Sequence, residues 1–280
     1  MKFFIPSYGR AETIKTHVWL PDHDVKIVLH NELEKEKYLE AGRVPEDKII
    51  VSNTPLGIAH QRKFIWDSVE EGEWLCMLDD NIEYFTAVGE PHYSQDELPV
   101  KEDKSLRNVF ERKIDFFEFQ HIIEDTLKEA DRVGARMAGF ASNPNFFFRG
   151  KKFRHVGFIL GKTMLFKKNN FVQWDTNIQV KEDYQMTAEN LFHFGCVVIN
   201  NFAIAKYKHY QKGGCGTFNE REQKLKEASE YLVEKYKGLF RYKKSTDNAE
   251  IQVCFKTRKQ VENWRKQRNL STSTVLQLEK

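Results

Sequence analysis

The chain holds 280 residues, 40% of them hydrophobic and 13% aromatic, with 30% charged residues and a mean hydropathy of −0.62. This composition excludes general disorder, and because no run approaches the ~18 to 20 apolar residues that cross a bilayer, it also excludes a membrane-spanning helix. The net charge of +3 is unevenly spread: residues 241–280 carry ten Lys and Arg against four Asp and Glu, the first 240 carry 34 against 37.

The length suits one α/β domain with insertions. The opening Met1-Lys2-Phe3-Phe4-Ile5-Pro6 is apolar too briefly for a secretory signal, so a cytoplasmic protein with no membrane partner is expected. Lys2–Pro6, Val25–Leu29 and residues 48–51 read as strands, the first followed by the loop Ser7-Tyr8-Gly9-Arg10. Between the last two, residues 31–41 are helical in composition, with Asn31 as cap and Gly42 as stop. Residues 57–69 place Ile58, Ile65 and Val69 for a second helix, which leads into the short apolar run Trp74-Leu75-Cys76-Met77-Leu78. Strand and helix alternation of this kind implies a parallel sheet, whose ligands bind beyond the carboxyl ends of its strands. Ser7-Tyr8-Gly9-Arg10, His30-Asn31-Glu32 and Asp79-Asp80-Asn81 all fall at those ends.

Residues 86–112 lack periodicity and hold Gly89, Pro91 and Pro99 among many charges, which predicts a long surface insertion. Phe117, Ile122, Ile123, Leu127 and Ala130 then mark an amphipathic helix, followed by a strand near Met137–Phe140. Phe146-Phe147-Phe148 and Phe158-Ile159-Leu160 read as strands around a basic turn at residues 149–154. A helix over Glu182–Phe194 precedes a strand over residues 196–207 that leads to His209. Gly213-Gly214-Cys215-Gly216 reads as a mobile loop and residues 219–236 as a charged helix. The simplest division is one domain over residues 1–240, with a nucleotide-binding half at 1–85 and an acceptor half at 113–216, and a basic extension over 241–280. Cys76, Cys196, Cys215 and Cys254 form no Cys-x-x-Cys pair, so neither a zinc knuckle nor a disulfide framework is indicated, and Cys76 and Cys196 are expected in the core.

The strand that stops on Asp79-Asp80-Asn81 carries the strongest chemical signal. A buried strand ends on clustered oxygens cheaply only if backbone donors, a basic side chain or a hard divalent cation satisfies them. A simple turn or helix cap is the other reading of the same residues. Two further features are weaker alone: Lys181-Glu182-Asp183-Tyr184 at a helix start, where carboxylates also serve as ordinary caps, and His209 beyond a late strand. Lys256, Arg258, Lys259, Arg265, Lys266 and Arg268 surround Trp264, and Arg149, Lys151, Lys152 and Arg154 form a second basic cluster. Such clusters suit a phosphate backbone, and a solvated helix face equally.

Taken with Ile5-Pro6-Ser7-Tyr8-Gly9-Arg10 and the Leu56-Gly57-x-x-x-Gln61-Arg62 helix entry, these features resemble the GT-A glycosyltransferases in kind and order. The resemblance implies a Rossmann-like α/β fold, a mixed sheet flanked by helices. It implies a UDP-sugar donor framed by Pro6, Ser7, Tyr8, Arg10, Arg62, Asp79 and Asp80. It also implies manganese or magnesium on Asp79, Asp80, Asn81 and His209, although Asn81 stands where an acid is usual. A cation there would stabilise the charge that develops on the departing nucleoside diphosphate. The Glu182-Asp183 pair resembles the base motif of inverting members, with Asp183 taking the proton that the acceptor hydroxyl loses. More narrowly, Ile5-Pro6-Ser7-Tyr8-Gly9-Arg10-Ala11, Leu78-Asp79-Asp80-Asn81-Ile82 and Glu182-Asp183-Tyr184-Gln185-Met186 resemble phage enzymes that glycosylate hydroxymethylated pyrimidines in DNA, over residues 1–216. These include the TET-associated glycosyltransferase family and phage arabinosyl- or glucosyltransferases. That narrower likeness implies 5-hydroxymethylcytosine or a related base in duplex DNA as acceptor, with the two basic clusters and Trp264 against the nucleic acid. A glycan or protein acceptor, a non-catalytic nucleic-acid-binding protein and a nucleotidyltransferase are the alternatives, the last fitting the Glu-Asp helix start less well.

Overall fold

The computed structural model describes residues 1–20, 25–88, 111–143, 151–207, 218–244 and 250–268. Its elements in chain order are β1 (Lys2–Pro6), β2 (Val25–Leu29), α1 (Glu32–Glu40), β3 (Ile49–Val51), α2 (Ile58–Asp67), β4 (Trp74–Leu78), β5 (Ile82–Val88) and β6 (Glu111–Ile114). There follow α3 (Phe116–Val133), β7 (Met137–Phe140), β8 (Phe153–Arg154), β9 (Thr163–Lys167), α4 (Glu182–Phe194), β10 (Val198–Asn200) and β11 (Ala203–Tyr207). The last are α5 (Phe218–Lys235), β12 (Phe240–Tyr242), β13 (Ile251–Val253) and α6 (Arg258–Gln267).

Among the described residues, eight strands form one mixed sheet in the order β3-β2-β1-β4-β9-β7-β10-β8, beside a three-stranded sheet β11-β5-β6 and the hairpin β12-β13. The first four strands run parallel, and β9 enters antiparallel to both β4 and β7. The sequence explains the central strands directly. Successive side chains of a strand point to opposite faces, so a strand covered on both sides reads as an unbroken apolar run. Phe3 and Ile5 of β1, with Cys76 and Leu78 of β4, join Tyr38 of α1 and Phe119 of α3 on one face; Phe4, Leu75 and Met77 join Ile65 and Trp66 of α2 and Met186 of α4 on the other. Leu75, Met77 and Leu78 are wholly buried, and each contributes about 1.5–3 kcal/mol of transfer free energy.

The topology positions the site. From β1 the chain steps to β2 and β3 on one side, while β4 joins β1 on the other, so the crevice beyond their carboxyl ends is a switch point of the sheet. Ser7 to Arg10 and Asp79 to Asn81 edge that crevice. Because Leu78 pairs with Thr163, the start of β9 lies beside the end of β4 and brings Gly161 and Lys162 to the same place.

The structure corrects four expectations. Phe158-Ile159-Leu160 is not a strand; Phe158 stacks flat on Tyr184, 3.8 Å between ring centroids, and the strand follows at β9. The predicted strand over 196–207 is two strands in different sheets, β10 and β11. Asn200 breaks it, accepting from the Phe202 N–H (2.9 Å) and donating to Thr126 Oγ1 (2.9 Å). Asn200→Ala removes both bonds from a side chain that is 1% exposed, and is expected to lower stability by roughly 1–3 kcal/mol in denaturant melts. An unchanged midpoint would show that the turn needs no side-chain support. Where an insertion was expected from residue 86, β5 continues to Val88 and β6 begins at Glu111; residues 89–110 lie outside the described residues.

The fourth correction concerns the tail. Leu239, Phe240, Ile251, Val261 and Trp264 belong to the same buried cluster as Met186 and Leu191 of α4, so residues 240–244 and 250–268 pack onto the domain. Cys76 and Cys196 are buried, as expected. No helix among the described residues is long and apolar enough to cross a membrane.

Candidate active site

At the end of β1 the loop is fastened from below. Ser7 Oγ donates to Asp80 Oδ2 (2.5 Å) and lies 2.6 Å from the Tyr38 hydroxyl; Arg10 Nη1 pairs with Asp80 Oδ1, and the Gly9 N–H donates to Glu34 Oε1 (2.5 Å). Asn31 caps α1 by accepting from the Glu34 N–H (2.9 Å), which sets Glu34 and Tyr38 under the loop. Thr16 ties the following turn, donating to the Asp79 carbonyl (2.6 Å) and accepting from the Ile82 N–H (2.9 Å). Burial raises the Asp80 carboxyl above its ordinary range, against the Arg10 charge and the Ser7 hydrogen bond. Ser7 and Asp80 are 4% and 5% exposed and Pro6 is buried, so these three predicted nucleotide contacts shape the crevice from within, and Tyr8, Arg10 and Asp79 remain to wall it. Tyr8 meets His30 edge to face at 5.3 Å.

Arg62 is the hub of the second cluster. From the second turn of α2, Nη2 reaches Asp79 Oδ1 (3.1 Å) and the Gly161 carbonyl (3.0 Å), and Nη1 reaches Glu182 Oε1 (2.8 Å). One guanidinium thus joins the end of β4, the loop before β9 and the start of α4, using the fixed fork that suits Arg and not Lys. Lys162 Nζ takes the other oxygen of Asp79 at 2.6 Å. Burial works against Asp79 ionising, yet Lys162 and Arg62 outweigh it and hold the carboxyl below the usual range.

Asp183 is held by its backbone neighbours, Oδ2 accepting from the Gly161 N–H (2.8 Å) and Oδ1 from the Tyr184 N–H (2.9 Å). Burial, then the adjacent Glu182, pushes its carboxyl up to about 7, against the pull of Arg62. A carboxyl poised there can take a proton near neutral pH, which suits a general base. Lys181 before it adopts the left-handed region, φ 64, and stands over the Tyr184 ring at 5.0 Å. The structure brings together Asp79, Arg62, Glu182 and Asp183, all expected from the sequence, with Gly161 and Lys162, whose only sequence signal is a Gly-Lys pair before the apolar Thr163–Lys167 run.

A side chain at Gly161 would press on the two charged groups beside it. A Cβ there would lie 3.1 Å from both Arg62 Nη1 and Asp183 Oδ2. Gly161→Ala is expected to cost about 1–2 kcal/mol by crowding, read as a fall in thermal midpoint of roughly 2–4 °C per kcal/mol. A midpoint equal to the parent would mean that the loop gives way freely.

The implied manganese or magnesium requires several oxygens converging on one point. The described residues do not fit it as they stand. Both oxygens of Asp79 carry cationic partners, both oxygens of Asp80 are turned to Ser7 and Arg10, and Asn81 is 5% exposed. Among the described residues no group of three or more His, Cys, Asp or Glu side chains gathers as a metal site, and His209 lies outside them.

The predicted nucleic-acid residues divide. Trp264 is 4% exposed, donates to the Lys237 carbonyl (2.9 Å) and packs edge to face on Phe192; Arg265 is 5% exposed and donates to the Phe192 and His193 carbonyls, both at 2.7 Å. Arg265 therefore satisfies the orphan carbonyls at the end of α4, and these two leave the DNA set. Arg268 donates to the carbonyls of Lys235 (3.2 Å) and Lys237 (2.9 Å), while Lys152 pairs with Asp125 (3.2 Å). Lys256, Arg258, Lys259, Lys151 and Arg154 are exposed, and Arg149 lies outside the described residues.

Three solved structures are similar in part. Two crystal structures of S. aureus TarS 1-349, the second in complex with UDP, match at 11% and 12% identity and TM-scores of 0.41 and 0.42, each covering 83% of this chain and 66% of that one. A third, S. aureus TarS, matches at 12% identity and TM-score 0.38, covering 83% of this chain and 40% of that one. The chain thus spans less than two thirds of the length of the structures it matches. No curated protein matches it. The model of one family, TET-Associated Glycosyltransferase, matches residues 1–215, a span that holds β1, the Asp79 turn, Lys162 and Asp183 together. The chain belongs to the TET-associated glycosyltransferase family.

Proposed function

We propose that the enzyme moves a sugar, glucose or arabinose, from a UDP-sugar to the hydroxymethyl group of 5-hydroxymethylcytosine or a related pyrimidine in duplex DNA, with inversion. The observation that carries the chemistry is one loop touching both reacting ends: Lys162 pairs with Asp79 at 2.6 Å while the preceding Gly161 N–H holds Asp183 at 2.8 Å. A donor phosphate at the switch point and an acceptor hydroxyl at Asp183 are then neighbours, which is the geometry direct displacement needs. The acceptor oxygen attacks the anomeric carbon, its proton passes to Asp183, and the electron pair of the broken bond stays on the diphosphate.

The DNA acceptor is supported by the exposed Lys256, Arg258 and Lys259 on the tail and Lys151 and Arg154 before β9. A base hydroxyl inside the duplex is reached through the major groove or after the nucleotide is turned out. With phage DNA as acceptor the working compartment is the cytoplasm of the infected cell. The test incubates the protein with hydroxymethylcytosine DNA and a panel of UDP-sugars, with and without manganese, and reads nucleoside masses. A gain of one hexose or pentose is expected. No gain with any sugar, beside an active control enzyme, would sink the proposal.

A further inference from the structure

Resting on the UDP-sugar reading above, we propose that Lys162, backed by Arg62, is the cation that grips the donor diphosphate, and that the enzyme binds it without a divalent metal ion. The place where such an ion would sit on Asp79 is already taken. Lys162 Nζ lies 2.6 Å from Oδ2, within the range of a charge-assisted hydrogen bond, and Arg62 covers Oδ1 at 3.1 Å. A divalent ion on this carboxylate would have to displace the ammonium and then stand against the guanidinium.

The two cations differ in what they can still do. Arg62 is 2% exposed and is committed to Asp79, Glu182 and the Gly161 carbonyl. Lys162 keeps 20% of its side chain exposed and faces a cavity of about 270 Å³ that Phe140, Leu160, Ile204, Lys206 and Tyr207 also line. Its ammonium stands 4.1 Å from the centre of the Tyr207 ring. Asp79 on one side and the π-face on the other fix the ammonium before any ligand arrives. An ammonium has three donors, so Lys162 can hold Asp79 and a phosphate oxygen at once. The cavity lies between the end of β7, the start of β9 and β11, and Lys162 joins it to Asp79 at the end of the neighbouring strand β4.

In the transfer step the bond between the anomeric carbon and the β-phosphate oxygen breaks and its electron pair stays on UDP. The carbon bonds to the acceptor oxygen and the acceptor proton goes to Asp183. The charge that grows on UDP meets a preorganised ammonium, which needs no reorganisation as the bond breaks.

Calorimetric binding of UDP and of uridine to the full chain, in EDTA and again with manganese, tests this apart from acceptor chemistry. UDP should bind in EDTA, with an affinity that manganese changes by less than about threefold. Lys162→Ala should weaken UDP by roughly 10- to 100-fold in both media, Lys162→Arg should recover most of the loss, and uridine, which lacks the diphosphate, should bind all three proteins alike. The like binding of uridine also shows that the variants are folded. UDP binding that appears only with manganese, or a Lys162→Ala protein that binds UDP as the parent does, overturns the inference and leaves the UDP-sugar reading standing. Failure of both UDP and uridine to bind in either medium overturns that reading, and the inference with it.

Discussion

Arg62→Met is expected to lower the stability of the protein by roughly 3–5 kcal/mol at pH 8, a large share of the ~5–15 kcal/mol a domain commands. The guanidinium is 2% exposed and is shared by Asp79, Glu182 and the Gly161 carbonyl. A methionine fills the volume beneath it but neutralises nothing, and an unpaired buried carboxylate costs more than a lost contact. The change also reaches Asp183, because Arg62 is the charge that opposes burial and Glu182 in setting that carboxyl. Without it Asp183 should titrate higher, so the rising limb of any activity left should move to more alkaline pH. Arg62→Lys restores a charge without the fork, and is expected to recover part of the stability. Denaturant unfolding of the three proteins is the measurement. A methionine variant within about 1 kcal/mol of the parent, too small a loss for a broken buried pair, would show that the cluster is not held by Arg62.

The first 85 residues are legible in sequence because each element there carries its own boundary. The run from Trp74 to Leu78 is apolar at every position since both faces are covered, and Asn31 announces α1 by capping it. The acids that end β4 read as a turn and as a site: in the structure Asp80 fastens the loop of Ser7 and Arg10, while Asp79 pairs with Lys162. Beyond residue 113 the sheet is assembled from strands that are distant in the chain. Nothing local tells β9 to insert between β4 and β7, so the pairing of Leu78 with Thr163, and with it the arrival of Lys162 at Asp79, stayed hidden. The aromatic run at Phe158 looked like a strand because its apolar character serves a ring stack with Tyr184 instead.

The tail shows the opposite failure, in which composition spoke for function where packing was at work. Trp264 and Arg265 sit among surface cations in sequence, yet α6 turns them inward while Lys256, Arg258 and Lys259 stay outside. Charge counting cannot separate these, since the amphipathic period decides which side of a helix each residue takes. Gly195 records the close approach: it adopts φ 74, and a Cβ on it would meet Arg265 Nη1 at 2.8 Å.

Asp183→Asn should reduce kcat by about 10²- to 10⁴-fold, the range that a positioned base supplies, while UDP binding stays near the parental value. An asparagine keeps the shape but has one acceptor oxygen where the carboxylate uses two, so it retains only one of the bonds from the Gly161 and Tyr184 N–H groups, and unchanged UDP binding is the control that separates lost proton transfer from lost placement. In the parent, kcat/KM should climb with pH and level off above about 7, because the carboxylate must be ionised to accept a proton and burial with Glu182 raises it to about 7. The same shift makes a prediction about folding. The folded-state value lies above the ordinary 3.8, so the folded protein binds this proton more tightly than the unfolded chain does. That contribution to stability is complete below the unfolded value and is lost as pH rises through about 7. At pH 8 the parent therefore carries a penalty that the asparagine variant escapes, at most a few kcal/mol at about 1.4 per pKa unit. Relative to Asp183→Asn, the parent should lose stability between pH 4 and pH 8, on top of a pH-independent offset from the hydrogen bond the amide cannot make. A stability difference that stays the same from pH 4 to pH 8 would show that the carboxyl is not raised, and a variant that keeps most of its kcat would remove Asp183 from the role of base.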